Sequence, residues 1–225
     1  MPSLRQRHWV IGDVHGCDRS LINLLAVLPS ADHLVFCGDV VNRGDGIEAA
    51  MDLVWTLVRH GRATWLRGNH EQDLIAALES SGENCDAALF SQDTVRQLGE
   101  RRARSWLDRL KQLPLMYSAE GWRATHAGFN SEGQPDLSIR DPFWEFYDGR
   151  YGRVVIGHTP RPTVERHQHI VLVDTGAVYG GLLSAYCPET DAVVQVQGSE
   201  GGCPFPRADD LHRVPNVLAG DAISC

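Results

Sequence analysis

Trp9-Val10-Ile11-Gly12-Asp13-Val14-His15-Gly16 is an apolar run that stops at a glycine and then presents two metal- or proton-binding side chains. A run of this length reads as a short buried strand. In the residues after it, Leu21, Leu24, Leu25 and Leu28 recur at helical spacing over 17–28, and Pro29 ends the helix. The unit then repeats. A strand at 33–38 precedes a helix over about 46–60 that closes at Gly61, and a strand at 63–66 precedes a helix from about Glu71 to Leu78. Strand and helix alternate, which predicts βαβ units on a mainly parallel sheet.

Farther along, 86–113 is helical in pattern, with Leu89, Val95, Leu98, Trp106, Leu107 and Leu110 as the buried positions. Arg96, Arg101, Arg102, Arg104 and Arg109 interleave there with Asp93, Glu100 and Asp108, as on a solvated helix face. After Pro114 the pattern predicts strands at about 121–126, 153–157, 169–174, 182–187 and 192–197, completing a second sheet with less helical cover. At 225 residues and 43% hydrophobic content, 1–197 should form a single domain, while 198–225, rich in Gly, Pro and Asp, reads as a loosely ordered tail.

A net charge of -8 argues against a nucleic acid partner but leaves room for a small anion held by metals. Six cysteines at 17, 37, 85, 187, 203 and 225 contain no Cys-x-x-Cys pair, which suits buried thiols in a reducing compartment. With no apolar run approaching about 18 to 20 residues, the expectation is a cytoplasmic protein without membrane contact.

Asp13 and His15 are two apart just past a strand, so their side chains leave on one side. Asp39 and Asn69 hold the matching place after the next two strands, and side chains at the carboxyl ends of parallel strands converge in one crevice. His126 and His158 each close a later apolar run. This mixed oxygen and nitrogen set suits Mn, Fe or Zn better than Ca. Two such ions, about 3.5 to 4 Å apart, bind a phosphoryl group and activate a water for in-line attack. Phosphate ester hydrolysis is the expected chemistry.

The five segments Gly12-Asp13-Val14-His15-Gly16, Gly38-Asp39-Val40-Val41-Asn42-Arg43-Gly44, Gly68-Asn69-His70-Glu71, His126-Ala127-Gly128 and Gly157-His158-Thr159 occur in this order. Together they resemble the calcineurin-like metallophosphoesterases, in particular the bacterial phosphoprotein phosphatase branch, over about 8–187. The resemblance implies an α/β fold, a two-sheet mixed β-sandwich flanked by helices, with two divalent ions, manganese foremost, at one edge. It implies Asp13 and His15 on the first ion, Asp39 bridging, and Asn69, His126 and His158 on the second. His70 would be the general acid, and Arg43 and Arg140 would clamp the phosphate oxygens. Glu71 reads as a carboxylate suited to the first turn of its helix. Asp174-Thr175-Gly176 matches a segment that closes a strand beside the site in the resembling phosphatases.

One position departs from the pattern. Asn42 stands where the family carries an aspartate that hydrogen-bonds the acid histidine; its amide oxygen can accept a hydrogen bond but brings no charge. The resemblance implies hydrolysis of phosphomonoesters, Ser, Thr or Tyr phosphate in proteins among them. The alternative is hydrolysis of diadenosine tetraphosphate or a similar dinucleotide. Symmetric-cleaving dinucleotide hydrolases, which look related, carry a long insertion between the His-Ala-Gly and Gly-His segments, and the compact spacing here favours the phosphatase. A metal-binding regulatory protein weakened in catalysis is a third reading, suggested by Asn42.

Overall fold

Side-chain alternation along the strands sets the layers. In the computed structural model, which describes residues 6–80, 85–139 and 143–199, Trp9 and Ile11 of β1 (His8–Ile11) enter one core while Val10 enters another. After α1 (Asp18–Val27), β2 (His33–Phe36) repeats the division, with Leu34 and Phe36 on the first side and Val35 on the second. Successive strand residues point to opposite faces, so a strand apolar on both must be covered on both.

The first core is roofed by α1, α2 (Ile47–Arg59), which leads into β3 (Ala63–Trp65), and α3 (Asn69–Glu79). Its remaining cover comes from α4 (Cys85–Ser91), α5 (Asp93–Leu98), α6 (Glu100–Arg104) and α7 (Leu107–Lys111), which bury Leu89, Val95, Trp106 and Leu110. The helical pattern over 86–113 is thus four short helices. Gly99, at φ 78, breaks one of the joints because a left-handed residue cannot continue a helix. Arg102 pairs with Glu48 and Asp52, Arg104 with Glu100, and Arg109 lies over Trp106, so these arginines brace the helices.

The second sheet starts with β4 (Met116–Ala119) and β5 (Trp122–Thr125). A small hairpin of β6 (Gly128–Phe129) and β7 (Pro135–Asp136) and the single turn α8 (Phe143–Phe146) follow. Next come β8 (Arg153–Ile156), β9 (Glu165–Arg166) and β10 (Ile170–Leu172), giving the order β4-β5-β8-β10-β9. Val155 and Val171 face the first sheet, while Val154, Ile156, Ile170 and Leu172 pack under Phe129 on the outer side.

The last two strands correct the expectation of a wholly separate second sheet. β11 (Leu182–Cys187) and β12 (Ala192–Gln197) return to the first sheet, ordered β12-β11-β1-β2-β3, with Val10 opposite Tyr186. β11 is buried on both faces and closes the open edge of β1, leaving the more exposed β12 as the edge strand. Gly198 and Ser199 are hydrogen-bonded to Gly181 and Ala177, and the rest of the expected tail lies outside the described residues. Cys17, Cys37 and Cys187 are buried free thiols. Among the described residues no helix is long and apolar enough to cross a membrane.

Candidate metal centre

β1, β2, β3, β5 and β8 all point their carboxyl ends at one place. β1, β2 and β3 run parallel in the first sheet, and β5 and β8 run parallel in the second. The loops leaving these ends carry Asp13 and His15, Asp39, Asn69, His126 and His158. All are buried except Asn69, which begins α3 and is half-buried. Gly38 makes the convergence possible, because at φ 97 a Cβ there would lie 2.6 Å from the Gly68 nitrogen and 3.0 Å from His126 Nδ1.

Asp39 Oδ2 stands 3.5 Å from His15 Nε2 and 3.5 Å from His126 Nε2. Atoms bound to one ion at about 2.1 Å stand roughly 3 to 3.5 Å apart, so this oxygen can serve an ion on either side. On the first side Asp13 Oδ2 lies 4.0 Å from His15 Nε2. On the second, Asn69 Oδ1 lies 2.9 Å from His126 Nε2 and 3.0 Å from His158 Nδ1. Asp13 Oδ1 also accepts the His158 backbone N–H at 3.1 Å, which ties the two sides together.

The histidines are set for ligation. His15 Nδ1 is 2.9 Å from the Val41 carbonyl and His126 Nδ1 is 2.7 Å from the Cys37 carbonyl. Each carbonyl takes the ring proton, so the Nε2 lone pair faces inward. His126 Nε2 and Asn69 Oδ1 are then two acceptors aimed at each other, an arrangement that a cation between them satisfies. The donor set therefore fits a divalent metal.

Comparison with known proteins agrees with this geometry. The family model for calcineurin-like phosphoesterases matches residues 7–186. This chain is a calcineurin-like phosphoesterase. Such enzymes hydrolyse phosphoric esters with divalent metals, and among the described residues two groups could hold one, His15 with Asp39 and His70, and Asp39 with His126 and His158. The phosphoesterase is 28% identical to the asymmetrical bis(5'-nucleosyl)-tetraphosphatase PrpE of Bacillus thuringiensis, over 82% of this chain and 92% of that protein. It is 27% identical to serine/threonine-protein phosphatase 1 of Salmonella typhimurium, over 79% of this chain and 90% of that protein. A crystal structure assigned as a diadenosine tetraphosphatase superposes with a TM-score of 0.64 at 23% identity, covering 89% of this chain and 97% of that one. A Saccharomyces cerevisiae protein serine/threonine phosphatase has the same fold, with a TM-score of 0.56 at 16% identity, over 90% of this chain and 82% of that one.

Two expectations for the phosphoesterase change. Glu71 does more than suit a helix start. It is fully buried, and its carboxylate accepts the backbone N–H groups of Gly68 at 2.8 Å, Asp39 at 2.7 Å, Val40 at 2.8 Å and Val41 at 3.3 Å. Glu71 thereby shapes the loop that presents Asp39. Asn42, for its part, does not turn its oxygen to His70. Thr94 donates to that oxygen from its backbone N–H at 3.0 Å and its hydroxyl at 2.7 Å, which leaves the amide nitrogen 3.2 Å from His70 Nδ1 and 2.9 Å from Gln92 Oε1.

Arg43 Nη2 lies 3.1 Å from His70 Nε2, and the Arg43 guanidinium rests 5.3 Å above the Tyr179 ring. Tyr179 lies three residues past Gly176, the end of the segment read as closing a strand, and a 3₁₀ turn over Ala177–Tyr179, between two left-handed glycines, lifts it there. Nothing local in the sequence pairs Tyr179 with Arg43. Arg140 lies outside the described residues. His70 Nε2 is 4.0 Å from Asp39 Oδ2, so the geometry brings His70 to the same cluster as the candidate ligands.

Six non-glycine residues among the described residues have positive φ, and five of them, His15, Asp39, Asn42, Arg43 and His158, are at this centre. Such strained backbone persists where surrounding contacts hold it and gathers at functional sites. Burial, then the charges of Asp174 and Asp39, hold the Asp13 carboxyl well above its usual range. Burial, then Glu71, do the same to Asp39. Burial, with His70 and Arg43 nearby, keeps His15 well below its usual range and thus neutral, as a ligand must be.

These directions give a test. An acid whose folded pKa is raised keeps protons that the unfolded chain has released. The metal-free protein therefore loses stability as pH rises from about 4 through the raised values. A divalent cation takes the place of those protons. The rise in melting temperature on adding Mn2+ should accordingly be larger at about pH 8 than at about pH 5.5. Scanning calorimetry at both values checks it, and a rise that ignores pH would contradict the assignment.

Proposed function

We propose that this phosphoesterase is a two-metal phosphatase acting on phosphomonoesters, phosphoproteins among them, with Asp13, His15 and Asp39 on one ion and Asp39, Asn69, His126 and His158 on the other. The observation that carries the reading is the single oxygen Asp39 Oδ2 at 3.5 Å from a ligand nitrogen on either side. Manganese is the proposed metal and the cytoplasm the proposed location. When bound, the ions supply charge at the phosphoryl oxygens and lower the pKa of a water nucleophile. Arg43 holds a phosphate oxygen, its guanidinium steadied by the Tyr179 face. Arg140 is proposed as a second clamp. His70 is proposed as the general acid that protonates the leaving oxygen, its Nε2 facing the cluster at 4.0 Å from Asp39 Oδ2.

Turnover of p-nitrophenyl phosphate with Mn2+, lost on chelation and recovered on adding metal back, tests the reading. Its absence under all divalent metals would refute it and would favour the non-catalytic, metal-binding alternative. Asn42 adds a second test. Its amide N–H facing His70 Nδ1 opposes a proton on that nitrogen and so opposes the imidazolium. Asn42→Asp should speed hydrolysis of phosphoserine roughly tenfold more than that of p-nitrophenyl phosphate, whose leaving group needs little acid help. Equal effects on the two substrates would sink the idea.

Dinucleoside polyphosphate hydrolysis is the second reading. The PrpE relative is named for that activity, and this chain spans 92% of its length. A compact chain therefore does not by itself favour a protein phosphatase. A panel of phosphopeptides, nucleotides and dinucleoside polyphosphates separates the two.

A further inference from the structure

α2 has no side chain of its own at its start, because Gly46 stands at the N-cap, and the missing acceptor comes from α5. Gln97 Oε1 accepts the Ile47 backbone N–H at 2.8 Å, and Gln97 Nε2 donates to the Gly44 carbonyl at 3.3 Å. One turn earlier, Asp93 Oδ2 accepts the Arg43 backbone N–H at 3.0 Å and Thr94 Oγ1 accepts that of Asn42 at 3.1 Å. Positions 93, 94 and 97 share one helix face, so a single short helix grips the loop 42–47.

The grip matters for the backbone it fixes. Asn42 and Arg43 have φ 62 and 73, a left-handed conformation that an arginine keeps only where its surroundings impose it. Backbone angles set the direction in which a side chain leaves. This turn therefore aims the Arg43 guanidinium, 3.1 Å from His70 Nε2 and over the Tyr179 ring. Asp93 makes a second contact, from Oδ1 to Arg96 within α5. The two contacts ask for different things: the Arg43 N–H needs only an oxygen, whereas the ion pair needs a charge.

We propose that Asp93 is a positioning residue for phosphate binding: by accepting the Arg43 N–H it holds the left-handed turn that points the guanidinium at a phosphate oxygen. Read in sequence, Asp93 is one of the interleaved charges of a solvated helix face, and 50 positions separate it from the residue it serves. The proposal rests on the reading of Arg43 as a phosphate clamp.

The test uses the full chain loaded with Mn2+ and reads KM for p-nitrophenyl phosphate and the inhibition constant of inorganic phosphate. Arg43→Ala should raise both about 10- to 100-fold, as loss of a charge-assisted hydrogen bond does. Asp93→Ala should raise both about 3- to 20-fold with the bound metal unchanged. Asp93→Asn, which keeps the oxygen and drops the charge, should stay within about twofold of wild type, as should Arg96→Ala, which removes the ion pair and leaves the Arg43 contact. In an Arg43→Ala background Asp93→Ala should add less than about twofold, since no guanidinium is left to aim. The Asp93 and Arg96 side chains are 36% and 52% exposed, so folding should survive these changes. Unchanged phosphate inhibition in Asp93→Ala, no recovery with Asp93→Asn, an equal rise with Arg96→Ala, or Asp93 and Arg43 effects that multiply would each overturn the proposal and leave Arg43 its phosphate. An Arg43→Ala variant that binds phosphate as wild type does would remove the clamp and the proposal together.

Discussion

Asp39→Asn is expected to lower kcat for every phosphate ester at least about 1,000-fold, a barrier increase of roughly 4 kcal/mol, and to reduce the bound metal below two ions per chain. The substitution keeps the volume and one oxygen. Asp39 Oδ1 accepts the His70 backbone N–H at 3.0 Å, which an amide oxygen can also do, so the loop should hold. What disappears is the charged oxygen between His15 and His126. An amide turned to keep that hydrogen bond presents its NH2 to both ions, and neither can use it as a ligand. Steady-state kinetics with metal analysis of the purified protein checks the expectation. Full metal content with normal turnover would show that Asp39 is not shared.

Glu71→Ala should destabilise the fold by at least about 3 kcal/mol, lowering the melting temperature by about 6 to 12 °C, and should abolish activity even where the protein stays folded. Four backbone N–H groups converge on this carboxylate. Removing it strands several of them out of water, and each stranded donor costs about 1 to 3 kcal/mol. Glu100→Ala is the comparison. Glu100 is an exposed partner of Arg104 in an i,i+4 pair, the kind that contributes under about 1 kcal/mol. Burial, then, separates two glutamates that are alike in sequence. Thermal denaturation of both variants tests this, and similar melting temperatures would contradict the role given to Glu71.

Much of the centre is legible because each motif is local. A few apolar residues make a strand, a glycine turns the chain, and the candidate ligand follows within one or two positions, as at Gly12-Asp13 and Gly157-His158. Parallel pairing of such strands is enough to gather their ends, and Asp13, His15, Asp39, Asn69, His126 and His158 meet. The arrangement of later elements was harder to read. β4 alternates between exposed and half-exposed residues and buries none of them, and the placement of β11 and β12 depends on which edge remains open.

By itself, then, the sequence determined the order of the motif-bearing turns and the alternating layers that carry them, since short-range periodicity encodes both. Only the tertiary structure decided how the side chains on those turns are held and tuned. Glu71 reaches the Asp39 loop across 32 positions, Thr94 turns the Asn42 amide across 52, and Tyr179 comes over Arg43. Contacts of this range depend on how whole layers pack, and no local pattern records which distant donor or ring will arrive.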